Sequence, residues 1–178
     1  GHLALLYGHA YDTSDVVKTV ISVVGPSDLT SPLFHQYAGN YNLMWTLEQL
    51  VGTTFASDSA IYAEASPLFR TSNCPTFLLY GELDDLVPKE QGIAMFDTLT
   101  ANGVPVDTTI PPQGSHTVYA PNNMYKGQIH QKVLDWLHLH MNNRQHSQRP
   151  KCPMYFMGVP PKCAYLPNLP RTWITRVP

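Results

Sequence analysis

Two carboxylates, Asp84 and Asp85, and one histidine, His116, are the residues of this 178-residue chain best suited by type and spacing to do chemistry. The two acids follow a short apolar run, Thr76–Tyr80, that Gly81 breaks, and His116 ends the segment Gln113–His116. A buried run that ends in a carboxylate reads as a strand delivering that group to the crevice at the carboxyl edge of a parallel sheet. A carboxylate that orients a histidine makes the histidine a general base, and these are two of the three parts of a Ser-His-Asp type relay. The 32 residues from Asp84 to His116 hold one helix-length and one strand-length segment. That interval brings the chain back to a neighbouring parallel strand with both side chains on one edge. The plainer roles are a surface-loop histidine at His116 and a helix cap before the helix after Pro88. For the cap, Asp85 is the better candidate. Ser115 adjoins His116 and reads as a turn residue.

The elements that must position these groups alternate. His2 to about Tyr11 reads as a helix with Leu3, Leu6 and Tyr7 on one side. Val16–Val24 is the strongest strand, β-branched and apolar on both faces, as in a parallel strand covered on both sides. Short helices are expected around Asn42–Val51 and Ser57–Ala65, among the aromatics Phe34, Tyr37, Tyr41, Trp45, Phe55 and Tyr62. Those aromatics read either as core packing or as an acyl or aryl pocket over the site. Thr76–Tyr80 is the second strand. Lys89–Ala101 is an amphipathic helix with Ile93, Phe96 and Leu99 inward, stopped at Asn102–Gly103. Val106–Ile110 is the third strand, and a last helix runs from about Tyr125 to His140, with Ile129, Val133, Trp136 and Leu137 on its apolar side. Alternating strands and helices give an α/β class with a parallel sheet.

Composition divides the chain near residue 142. Up to Met141 there are five Lys and Arg against all thirteen acids; from Asn142 to Pro178 there are six Lys and Arg, no acid and seven of the sixteen prolines. The reading is a domain over 1–141 and a basic Pro-rich tail, disordered or loosely packed, over 142–178. The basic residues of the tail are scattered rather than clustered, so no nucleic-acid or membrane partner is expected. No apolar run approaches the roughly 18 residues of a membrane span. The sequence has no signal-peptide pattern and no initiator Met, so its N-terminus reads as a cut one, and the compartment stays open. Cys74 reads as a small buried residue; Cys152 and Cys163 could pair, and nothing else argues for it. No HxxxH or CxxC spacing occurs, so no metal site is expected.

Several ordered motifs resemble those of the α/β-hydrolase superfamily. Gly81–Pro88 resembles its G-x-x-D-x-x-V-P motif with the acid at Asp84, and Gly114–His116 resembles its G-x-H motif. Gly1–Leu6 is similar to the segment directly after the nucleophile elbow in esterases of the acetyl-xylan, feruloyl and kynurenine-formamidase type. Val23–Leu29, Leu47–Gly52 and Ala65–Pro67 also resemble that group, and the match runs in order over about residues 1–141. The resemblance implies the C-terminal half of a doubly wound hydrolase sheet, about three strands with flanking helices. It implies hydrolysis of a carboxylic ester, with Asp84 and His116 as catalytic acid and base, a small acyl-ester substrate and no cofactor.

The same alignment puts the serine just upstream of Gly1, and no G-x-S-x-G occurs in the sequence. Ser27 is followed by Asp28 and Leu29 rather than by the glycine an elbow needs. The family's oxyanion loop would come from further upstream. Losing such a nucleophile costs on the order of a million-fold in kcat, or roughly 8 kcal/mol of barrier. The expectation is a partial, truncated serine-hydrolase domain without triad-dependent activity of its own. The alternatives are a fragment of a prolyl-oligopeptidase-like serine peptidase and a non-catalytic interaction protein. With the serine-bearing strand absent, Val16–Val24 is expected to expose a flat edge open to self-association.

Overall fold

The computed structural model describes residues 1–120 and 123–141; the expectations for the tail 142–178, Cys152 and Cys163 included, lie outside the described residues. Among these residues three parallel strands, β1 (Val20–Val23), β2 (Thr76–Leu79) and β3 (Val106–Thr109), lie in the order β1-β2-β3. Val20 pairs with Thr76, and Thr76 pairs with Val106. Among the described residues six α-helices accompany them: α1 (His2–Leu6), continued by a π-helical turn Tyr7–Tyr11, then α2 (Pro32–Asn40), α3 (Leu43–Val51), α4 (Ser59–Glu64), α5 (Glu90–Ala101) and α6 (Lys126–Met141). The expected α/β class, with about three strands flanked by helices, is what the chain forms.

The alternation of β2 divides the core into two layers. Leu78 and Tyr80 pack with Leu5, Met95, Leu99 and Phe34 on one face. Phe77 and Leu79 pack with Val118, Ile129 and Trp136 on the other. Successive strand side chains point to opposite faces, so the apolar run Phe77–Leu79 of β2 needs cover on both sides, and all four residues of the strand are buried. Trp136 secures α6: its indole N–H donates to Thr19 Oγ1 at 2.7 Å, and that hydroxyl donates to the Pro75 carbonyl at 2.8 Å.

The first strand is shorter than the β-branched run. Asp12 accepts the Val16 and Val17 amides at 3.2 and 2.7 Å, and Asp15 takes φ 56°. The chain is thereby bent into a loop, Val16 is left 62% exposed, and the ladder starts only where Val20 N–H reaches the Pro75 carbonyl. Within the described sheet β1 is an edge strand. Val20 and Val24 donate toward β2, so the register turns the N–H groups of Ile21 and Val23 away from it.

Two helix faces differ from the periodicity. In α1 the buried residue is Leu5, while Leu3 and Tyr7 are exposed. In α5 the inward face is Gln91, Gly92, Met95 and Leu99, with Ile93 exposed. The cause in α5 is the neighbouring ring. A Cβ on Gly92 would lie 2.3 Å from Tyr80 Cδ2, so the helix can approach β2 only through a residue without a side chain.

Candidate active site

The loops after β2 and β3 carry the acid and the histidine, and backbone contacts lock the two loops together. Leu83 N–H donates to the Gly114 carbonyl at 2.8 Å, and Glu82 N–H donates to the Pro111 carbonyl at 3.2 Å. A Cβ on Gly81 would sit 2.4 Å from the Gly114 carbonyl oxygen, so this approach requires glycine there.

The Asp84 side chain is fully buried. Its Oδ1 accepts the Leu86 and Val87 amides, both at 2.9 Å, which closes a tight turn. His116 Nδ1 lies 3.0 Å from Asp84 Oδ2 and 3.2 Å from Oδ1. An ionised carboxylate only accepts, so Nδ1–H donates to it, and in the neutral ring Nε2 is the nitrogen with the lone pair. The His116 side chain is 35% exposed, and among the described residues no hydrogen bond occupies Nε2. The tertiary fold therefore brings Asp84 and His116 together as an oriented imidazole beside a buried acid.

Asp85 does something other than the expected capping. Asp84 closes the turn, and Asp85 points outward to accept the Tyr41 hydroxyl. That hydrogen bond, together with desolvation and the nearby charges of Asp85 and Asp84, holds the Tyr41 phenol above its ordinary pKa. Tyr41 caps the C-terminus of α2, and Asn42, in the left-handed region at φ 56°, turns the chain into α3. Nothing in the spacing of Tyr41 and Asp85, 44 residues apart, signals this pair.

The aromatics of the helical segment separate by role. Phe34 and Tyr62 are buried, and Phe55 meets the Tyr62 ring edge-on at 5.3 Å, which is core packing. Trp45 is 60% exposed. Ser115 Oγ lies 3.0 Å from Thr117 Oγ1 and accepts the Thr117 amide, as a turn residue does. Ser27 is buried: its hydroxyl donates to the Gln91 carbonyl at 2.7 Å. Gln91 Oε1 in turn accepts the Ser27 and Asp28 amides at 2.8 and 2.7 Å. Gln91 thus ties the loop after β1 to the start of α5, a role its sequence position does not reveal.

Two buried titratable groups lie at the opposite, amino-terminal end of β2. His9 Nδ1 accepts the Ser72 amide at 3.1 Å, so Nε2 carries the proton toward Thr76 Oγ1 at 2.9 Å. Burial lowers its pKa to about 4. Cys74 is a free buried thiol, and burial pushes it up to about 12. Among the described residues no group of three His, Cys, Asp or Glu side chains could hold a metal ion, and no helix is long and apolar enough to cross a membrane.

The model of the prolyl oligopeptidase family matches residues 5–144. The chain is 28% identical over 134 residues to dipeptidyl-peptidase 5 of Porphyromonas gingivalis, covering 67% of this chain and 19% of that protein. It is 36% identical over 83 residues to the non-reducing polyketide synthase Preu3 of Preussia isomera, covering 46% of this chain and 3% of that protein. An uncomplexed acylaminoacyl peptidase of Pyrococcus horikoshii shares the fold, with a TM-score of 0.66 and 17% identity, over 82% of this chain and 23% of that one. The chain thus spans a fifth or less of the curated relatives it matches. The superfamily implied by the motifs is upheld. The esterase and lipase subtype is not, because the family model and the matched structure are of peptidases.

Proposed function

The chain belongs to the prolyl oligopeptidase family, and from that premise we propose that it carries the acid and base of a serine peptidase active site. Asp84 fixes the Nδ1–H tautomer of His116. Nε2 then takes the proton of a serine as that serine attacks a peptide carbonyl, and returns it to the leaving amine. The observation that carries this reading is the 3.0 Å contact between His116 Nδ1 and a fully buried carboxylate, with Nε2 turned outward. The described serines near the site are engaged elsewhere, and neither is assigned as the nucleophile. Ser27 is buried against Gln91, and Ser115 closes its own turn. The family match and the likeness to dipeptidyl-peptidase 5 favour the peptidase reading over ester hydrolysis.

The test compares this chain with a form extended upstream through its reading frame, each beside its His116→Ala variant. The substrates are a peptide p-nitroanilide and p-nitrophenyl acetate. The extended form is expected to cleave the peptide, and His116→Ala to abolish the cleavage. The present chain is expected to match its own His116→Ala control on both substrates. Turnover by the present chain well above that control would place a nucleophile within these 178 residues and overturn the assignment. An extended form that cleaves the ester and never the peptide would restore the esterase reading.

A further inference from the structure

The acid-bearing turn has a second attachment that the relay does not require. Asp84 closes the turn inward through the Leu86 and Val87 amides. The next residue, Asp85, faces outward and accepts the hydroxyl of Tyr41. Tyr41 stands where α2 ends and the left-handed Asn42 starts α3. No residue of α3 is fully buried, and Trp45 and Leu50 are largely exposed. Partly buried Leu43, Met44, Leu47 and Val51 give the helix a shallow seat on the core. A helix held so lightly opens locally at little cost unless something pins it.

We propose that Tyr41 is a positioning residue: its hydroxyl, bonded to Asp85, latches the α2–α3 segment onto the turn that holds Asp84. The latch acts in both directions. It keeps the α2–α3 corner beside the acid loop, and it limits the swing of the turn whose amides orient the Asp84 carboxylate. Asp85 is thereby set apart from Asp84 in function although the two are adjacent. One carboxylate faces the histidine and the other faces the helical segment. The inference rests on the proposed role of Asp84 and His116, and it adds the device that steadies them.

Tyr41→Phe removes the hydroxyl and keeps the ring. Asp85→Asn keeps a carbonyl acceptor for the phenol, and Asp85→Ala removes it. Two readouts on the present chain are independent of hydrolysis: amide hydrogen exchange, and the downfield proton resonance of His116 Nδ1–H against the Asp84 carboxylate. Tyr41→Phe and Asp85→Ala are expected to speed exchange at Leu86, Val87 and residues 43–51 by roughly two- to fivefold, with β2 unchanged. Both are also expected to broaden the His116 resonance, and Asp85→Asn to restore most of it. Unchanged exchange and an unchanged resonance in Tyr41→Phe would overturn the latch, and so would a uniform acceleration that includes β2. Because neither readout needs a serine, a failure of the peptidase assignment leaves the latch result readable, and the reverse also holds.

Discussion

Gly81 and Gly114 meet backbone to backbone: a Cβ on Gly81 would lie 2.4 Å from the Gly114 carbonyl oxygen, and one on Gly114 would lie 3.1 Å from Gly81 Cα. This contact, with the Leu83-to-Gly114 and Glu82-to-Pro111 hydrogen bonds, makes one rigid unit of two loops separated by a helix and a strand. The Asp84–His116 geometry is inherited from it. Gly81→Ala should therefore force the loops apart and cost about 1–3 kcal/mol, as overpacking against backbone does. Gly114→Ala, with the looser contact, should cost less. Urea unfolding with the His116 Nδ1–H resonance as a second probe checks both. A Gly81→Ala protein of unchanged stability and unchanged resonance would refute the steric argument.

Asp84→Asn separates the two duties of that side chain. The amide oxygen can still accept the Leu86 and Val87 amides, so the turn should survive with a stability change under about 1 kcal/mol. The amide nitrogen cannot accept His116 Nδ1–H, so the imidazole should shift toward the other tautomer, visible in its ring nitrogen shifts. In a serine-containing extended form the same change should lower kcat by roughly ten-thousand-fold through that tautomer. Asp84→Ala should lose the turn as well, at about 1 kcal/mol more.

His9 should make stability depend on pH. Its folded pKa is lowered to about 4 by burial, whereas an unfolded histidine titrates near 6.5. Between those values the unfolded chain binds the proton and the folded chain does not. The neutral ring's contribution is complete above pH ~6.5 and falls away as pH drops toward 4, by about 3 kcal/mol over the interval. His9→Gln keeps a donor and an acceptor without titrating there. Unfolding free energies measured from pH 7 to 4.5 should be flatter for the variant than for the parent, and parallel curves would refute the assignment.

The open edge of β1 supports a prediction about association. The N–H of Ile21 faces away from β2, so a proline there removes no ladder bond to β2 but blocks pairing with a second strand. We expect the present chain to self-associate with rising concentration and Ile21→Pro to reduce that association, measured by light scattering. A parent that stays monomeric at high concentration would remove the edge as a contact surface.

Gln91→Leu tests the internal tie between the loop after β1 and α5. It would strand the buried Ser27 amide and the Asp28 amide that Gln91 Oε1 now accepts. Unsatisfied buried donors cost about 1–3 kcal/mol each. Gln91→Glu, which keeps the acceptor, should unfold at a urea concentration nearer the parent's.

The local sequence determined those features that depend on neighbouring residues. The run Phe77–Leu79 is apolar because β2 is covered on both faces, and Asn102–Gly103 ends α5 by ordinary backbone preference. The ordered motifs around Asp84 and His116 identified the superfamily, because the chemistry of orienting a histidine constrains residue types at fixed spacings. Only the tertiary structure decided the rest. The β-branched run 16–24 yields just four residues of strand because Asp12 captures the Val16 and Val17 amides and because Pro75 marks where β2 can pair. Which of two adjacent acids closes the turn and which meets Tyr41 depends on a helix corner 44 residues away. The Gln91 tie and the Gly92–Tyr80 contact likewise join residues whose proximity no periodicity encodes. Apolar patterns are legible because burial is set by an element's own faces, whereas a polar partner is chosen by whatever the completed fold brings within hydrogen-bonding distance.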